Sequence, residues 1–271
     1  MRTAGQFAVL PGGVTLHYRI QGEPGAPWIV LLNGLLSDTT MWAGVLPGLT
    51  PRFRVLTFDG RGQGRSDAPL EGPYTVPQSA MDAWELLGQL HIRDPWLAGL
   101  SNGSSIALEL LAAHPGAFPG AVLTSAMART DFTMRLRLEH WLHCLDLGGP
   151  GLQFDAVAPY LWGDRFLEAR YQVLKAYHES RKEDGKPFHG FRHQIAGALQ
   201  WDIRSRLMAI QEPVLCLAGA EDLLTPPWKC LEVAQALPHS RFELVPGIGH
   251  AFPVEDPRTY CKNITTFMSS Y

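Results

Sequence analysis

Pro95-Trp96-Leu97-Ala98-Gly99-Leu100-Ser101-Asn102-Gly103 is a strand-sized apolar run that breaks into Gly-x-Ser-x-Gly, and a helix-like run follows from Ser104 to Ala113. A strand turning through that pentapeptide into a helix holds a serine hydroxyl on a strained, exposed elbow. The serine takes a sparsely populated backbone conformation, and side chains at Gly99 and Gly103 would collide with the neighbouring strand and helix. The helix N-terminus also points unpaired N–H groups at the space above the hydroxyl, where a developing oxyanion would sit. On its own the pentapeptide is weakly specific, because glycine and serine are common in loops. Its setting carries the meaning.

Outward from the elbow, continuous apolar runs recur at Trp28 to Leu32, Arg54 to Phe58, Ala121 to Leu123, Val214 to Ala218 and Arg241 to Val245. Strands buried on both faces read this way. At the front, Phe7 to Leu10 and Val14 to Ile20 flank the turn Pro11-Gly12-Gly13 and predict an antiparallel hairpin. Amphipathic segments around Thr39 to Leu49, Gln78 to Leu90 and Trp228 to Leu237 fall between the runs. The class is therefore α/β, a mostly parallel eight-stranded sheet flanked by helices. Residues 130–206 break the rhythm: they hold no strand-like run and many large aromatics. They are expected to form a helical lid inserted into a core of residues 1–129 and 207–271, over the sheet edge where ligands bind. Trp141 and Trp162 of the lid, with Asn33, Trp42 and Phe252, are the expected substrate pocket.

Composition narrows the partners. The 271 residues are 46% hydrophobic and 18% charged with a net charge of −3, ordinary for a globular protein and without the basic field that nucleic acid or an anionic membrane surface requires. No apolar run approaches a bilayer span, and Met1 to Gln6 lacks the apolar centre of a signal peptide, so a cytoplasmic location is expected. Cys144, Cys216, Cys230 and Cys261 are far apart and read as buried free thiols. The pairs His140/His143 and His189/His193 have helical spacing but, Cys144 aside, no partner ligand, so no metal is expected. Asp59 to Ser66 is glycine-spaced yet lacks the lysine of a phosphate cradle, and no cofactor is expected. A monomer or a homodimer fits equally.

Two later strand runs end in polar loops: Val214 to Ala218 in Gly219-Ala220-Glu221-Asp222, and Arg241 to Val245 in Pro246-Gly247-Ile248-Gly249-His250. Both loops lie on the sheet edge that carries Ser101. Ser101, Asp222 and His250 follow the chain order that a nucleophile, its orienting acid and its base take on such a sheet.

With these landmarks, Asn33-Gly34 and Asp59 to Ser66, the chain resembles the α/β-hydrolase superfamily from about Gly13 to Thr266. Leu32-Asn33-Gly34-Leu35, Met41-Trp42, Asp67-Ala68-Pro69 and Asp202-Ile203-Arg204 resemble its lid-bearing lactonases and esterases of the 3-oxoadipate enol-lactonase kind. The resemblance implies an oxyanion hole made of the backbone N–H groups of Asn102 and Leu35. Two departures stand out: Asn33 replaces a common histidine, and Ser104 replaces a common glycine. Asn33 also occurs in the synthase that joins two 3-hydroxyacyl groups, and it is equally readable as a buttress of the oxyanion loop.

The implied activity is a serine hydrolase that cleaves a small ester, lactone or thioester through an acyl-enzyme. Acyl transfer to an alcohol would use the same residues, and a ligand receptor that kept the fold without turnover is the reading from another class. Ser101 excludes the aspartate nucleophile of haloalkane dehalogenases. Ala251-Phe252-Pro253 lacks the tryptophan that carbon-carbon bond hydrolases commonly place after the histidine. Glu139 and Glu168 are weak candidates for the amine-binding lid glutamates of proline iminopeptidases.

Overall fold

Burial explains the strand sequences. The computed structural model describes residues 5–180 and 188–271; Met1 to Ala4 of the stretch read for targeting, and 181–187 of the expected lid, lie outside the described residues. Among the described residues there are eight strands: β1 Gln6–Val9, β2 Thr15–Gln21, β3 Trp28–Leu32, β4 Arg54–Phe58, β5 Trp96–Leu100, β6 Ala121–Thr124, β7 Val214–Gly219 and β8 Ser240–Val245. They form one sheet in the order β1-β2-β4-β3-β5-β6-β7-β8. β1 and β2 pair antiparallel, as do β2 and β4, and every later pairing is parallel. β5, β6 and β7 are buried at every position, whereas edge strand β8 alternates with exposed residues. Ile29 and Leu31 enter the core on one face of the sheet, Val30 and Leu32 the core on the other.

The helices are α1 Leu46–Leu49, α2 Val76–Gln89, α3 Asn102–Ala113, α4 Phe132–Leu161, α5 Asp164–Ser180, α6 His189–Ala198, α7 Pro227–Ala236, α8 Phe252–Glu255 and α9 Pro257–Met268. The helix expected over Thr39 to Leu49 is instead a 3₁₀ turn, Thr39–Trp42, and the single turn α1. Close packing is the reason Gly48 suits α1: a Cβ there would sit 2.7 Å from Cys261 Sγ of α9. α9 buries Tyr260, Cys261, Ile264 and Phe267, one stripe at helical spacing, against Ile29, Leu31 and Val55.

α4, α5 and α6 lie between β6 and β7, in a segment that leaves and returns through one narrow neck. Arg129 and Asp202 form an isolated antiparallel bridge, Thr130 N donates to Trp201 O at 2.9 Å, and Ile203 N donates to Ala128 O at 3.0 Å. α4 bends at Gly149, whose φ of 69° interrupts the helix just before Pro150. Asp155 of α4 accepts from Tyr171 Oη at 2.6 Å and pairs with Lys175 at 2.7 Å, which fastens α5 to it. No helix among the described residues is long and apolar enough to cross a membrane.

Candidate active site

Ser101 leaves β5 at φ 55° and ψ −115°, a conformation that persists only where the surroundings impose it. Its N–H donates to Thr124 O of β6 at 2.8 Å, and its carbonyl accepts from Ser104 N and Ser105 N as the first turn of α3. A Cβ on Gly99 would lie 2.5 Å from the backbone of Gly103 and Ser104, and one on Gly103 would lie 2.0 Å from Leu32 O of β3. Neither position has room for a side chain. Ser104, which replaces a common glycine, is itself a strut: its buried hydroxyl lies 2.9 Å from both Gly99 O and Thr124 O.

Asp222 closes the loop after β7. Its Oδ1 accepts from Leu224 N at 2.9 Å and Thr225 N at 2.8 Å, and its Oδ2 faces Thr225 Oγ1 at 2.8 Å and His250 Nδ1 at 2.9 Å. Thr225 Oγ1 also lies 3.0 Å from His250 Nδ1. The arrangement assigns the ring proton to Nδ1 and directs the threonine O–H to the carboxylate, leaving Nε2 as the ring's acceptor nitrogen. Burial pushes the Asp222 carboxyl up, but the His250 charge and the hydrogen bonds from His250 and Thr225 outweigh it and hold it below its ordinary 3.8.

The backbone around His250 is fastened from two sides. Ser125, at φ 53°, donates Oγ to His250 O at 3.1 Å. His250 N and Ala251 N both donate to Leu161 O at the end of α4, at 3.0 and 3.1 Å. Glu255 bridges the same join, accepting Gly249 N at 3.0 Å and Gly163 N at 3.1 Å, while Glu221 accepts Asp164 N at 2.9 Å. Burial, with the Glu221 charge adding to it, raises the Glu255 carboxyl above its ordinary value despite those two N–H donors. Glu221, just before Asp222, and the stretch from His250 to Glu255 thus hold the α4–α5 turn.

A cavity of about 510 Å³ opens over Ser101, with Gly34, Leu35, Asn102 and His250 also on its wall. Asn102 N–H begins α3, where the first-turn N–H groups have no intrahelical acceptor. The loop of Leu35 is braced from below. Gln63 Nε2 donates to Gly34 O at 2.9 Å, and Gln194 Oε1 of α6 accepts Leu36 N at 3.2 Å.

Of the expected pocket residues, Trp141 and Trp162 line this cavity. Asn33, Trp42 and Phe252 do not. Trp42 and Phe252 are fully buried in the core on the α9 side of the sheet, Phe252 with its ring edge-on to Tyr260 at 5.3 Å. Asn33 sits beneath the loop as a tie: its Oδ1 accepts Trp42 Nε1 at 2.7 Å and its Nδ2 donates to Phe58 O at 2.8 Å. Apolar packing claimed the two aromatics, and the buttress describes Asn33. His189 and His193 bond to the carbonyls of Ala68 and Leu70, at 2.7 and 3.0 Å, and so join α6 to the loop after β4. His114, at the end of α3, stacks on Trp84 at 3.7 Å, and burial lowers its pKa. The four cysteines are free and buried. Thr225, Gln194 and Glu255 had no motif around them, and Gln63 sits inside the Asp59 to Ser66 landmark without a role that its spacing reveals; only the β-turn character of Asp222 to Pro226 hinted at Thr225.

Comparison with known proteins agrees with this architecture. Residues 27–257 match the family described as the alpha/beta hydrolase fold. The RutD protein of Caulobacter vibrioides, named a carbamate hydrolase, is 29% identical over 255 residues, 93% of this chain and 95% of that protein. The crystal structure of the enol-lactonase from Burkholderia xenovorans superposes with a TM-score of 0.87 at 30% identity, covering 97% of this chain and 100% of that one. A hydrolase from Pseudomonas aeruginosa gives a TM-score of 0.87 at 27% identity, covering 99% of each chain.

Proposed function

The chain belongs to the α/β-hydrolase fold family, and on that premise we propose that it is a serine hydrolase cleaving a carboxylic ester or lactone through an acyl-enzyme. Ser101 Oγ attacks the carbonyl carbon as His250 Nε2 takes its proton, and Asp222 stabilises the imidazolium that results. The N–H groups of Asn102 and Leu35 receive the oxyanion; such a donor contributes on the order of 3 kcal/mol. When the tetrahedral species collapses, the alkoxide leaves with the proton from His250. Water, deprotonated by the same ring, then attacks the acyl carbon and releases the acid and Ser101. Residues 1–129 and 207–271 serve as the core and 130–206 as a lid that keeps bulk water from the acyl-enzyme.

The observation that supports this most is the buried His250–Asp222 contact of 2.9 Å on the wall that also carries Ser101 at the strained elbow. Turnover of nitrophenyl esters is expected to vanish in Ser101→Ala, and an organophosphonate is expected to label Ser101. Turnover that survives in the variant would remove Ser101 from the mechanism. Similarity to RutD favours a second reading, in which a carbamate presents its carbonyl to the same serine. Assaying ammonia release from carbamates beside acid release from esters separates the two.

A further inference from the structure

Resting on that reading of Ser101, we propose that the substrate is uncharged, with an apolar acyl chain of medium length, and that compounds bearing a carboxylate on the acyl chain are rejected. Size comes first. At ~30 Å³ for a water-sized group, 510 Å³ accommodates roughly a dozen or more such groups, far beyond an acetyl unit. The wall is also apolar. Met134, Leu138, Val157, Leu161 and Leu174 line it from the α4–α5 side.

Charge decides the class. Among the described residues no lysine or arginine lines the cavity; Asp38 is the one carboxylate on the wall, and His178 is the one imidazole there besides His250. The indole N–H groups of Trp141 and Trp162 and the Nε2 of Gln153 are buried without a hydrogen-bond partner on side chains of the same wall. They are neutral and covered by neighbouring side chains, so this part of the wall does not supply the counter-charge that a desolvated carboxylate needs.

The test compares nitrophenyl acetate, butanoate and hexanoate with the mono-nitrophenyl ester of glutaric acid, whose carboxylate reaches about as far as the hexanoyl methyl. kcat/KM is expected to rise about fourfold per methylene up to hexanoate, and the glutarate ester is expected to fall at least a hundredfold below hexanoate. Leu174→Lys, which sets a cation on the half-buried wall of α5, is expected to improve the glutarate-to-hexanoate ratio at least tenfold. A preference for acetate, or glutarate turned over as well as hexanoate, overturns the proposed substrate class while leaving Ser101 in place. An unchanged ratio in a Leu174→Lys variant that still hydrolyses hexanoate overturns the charge argument. No turnover of any ester, with no labelling of Ser101, overturns the reading beneath both.

Discussion

Replacing Thr225 with valine removes one hydroxyl while nearly keeping its shape. That hydroxyl lies 2.8 Å from Asp222 Oδ2 and 3.0 Å from His250 Nδ1. A hydrogen bond to an ionised group contributes about 1.5–3 kcal/mol net. At about 2–4 °C per kcal/mol for a chain near this size, Thr225→Val should lower Tm by roughly 3–12 °C. Thr225 is not on the cavity wall, so KM should change less than about twofold. The ring it helps orient should lose on the order of tenfold in kcat, the equivalent of ~1.4 kcal/mol in the transition state. Thermal melts and steady-state kinetics with a nitrophenyl ester read both effects. Thr225→Ser, which restores the hydroxyl, should recover most of each loss. A valine variant with Tm within about 1 °C of the parent and kcat within about twofold would refute the reasoning, because the hydroxyl would then lie outside the network that orients the histidine.

Gly103→Ala should yield little folded protein, since its Cβ would lie 2.0 Å from Leu32 O and both partners are backbone; recovery of a normally melting variant contradicts the packing. Asp222 is held below 3.8, so it contributes stability above that value that is lost as pH falls through its lower folded-state pKa. The Tm gap between the parent and Asp222→Asn should therefore stay level from pH 7 to about 5 and narrow below 3.8; a gap that widens on acidification reverses the assigned sign. Asn33→Leu strands Trp42 Nε1 and Phe58 O at about 1–3 kcal/mol each. Circular-dichroism melts should show a drop of several degrees, and kinetics a loss in kcat with KM nearly constant; a KM effect alone would return Asn33 to the substrate wall.

The strands were legible because β3 to β7 are covered on both faces, which forces unbroken apolar runs, and the elbow because Gly99 and Gly103 are the only sizes its backbone contacts allow. α9 is equally legible, its stripe from Tyr260 to Phe267 being plain in the sequence. Trp42 and Phe252 were misplaced for a different reason: an aromatic side chain beside a site can turn to cavity or core, and nothing local selects between them. Gln63 and Gln194 brace the loop of Leu35 from positions 29 and 158 residues away from the backbone groups they hold. Ties of that range leave no periodicity in a single chain.

The bridge between Arg129 and Asp202 brings the two ends of a segment of more than seventy residues side by side. For protein engineering the neck is a socket. A different helical cassette whose termini come within about 5.5 Å, the Cα spacing of a bridged pair, could be grafted there without altering the register of β6 or β7. Leu161, Gly163 and Asp164, which reach back to the loops of Asp222 and His250, and Gln194, His189 and His193, which tie α6 to the Leu35 loop and the loop after β4, would have to be reproduced in each new insert.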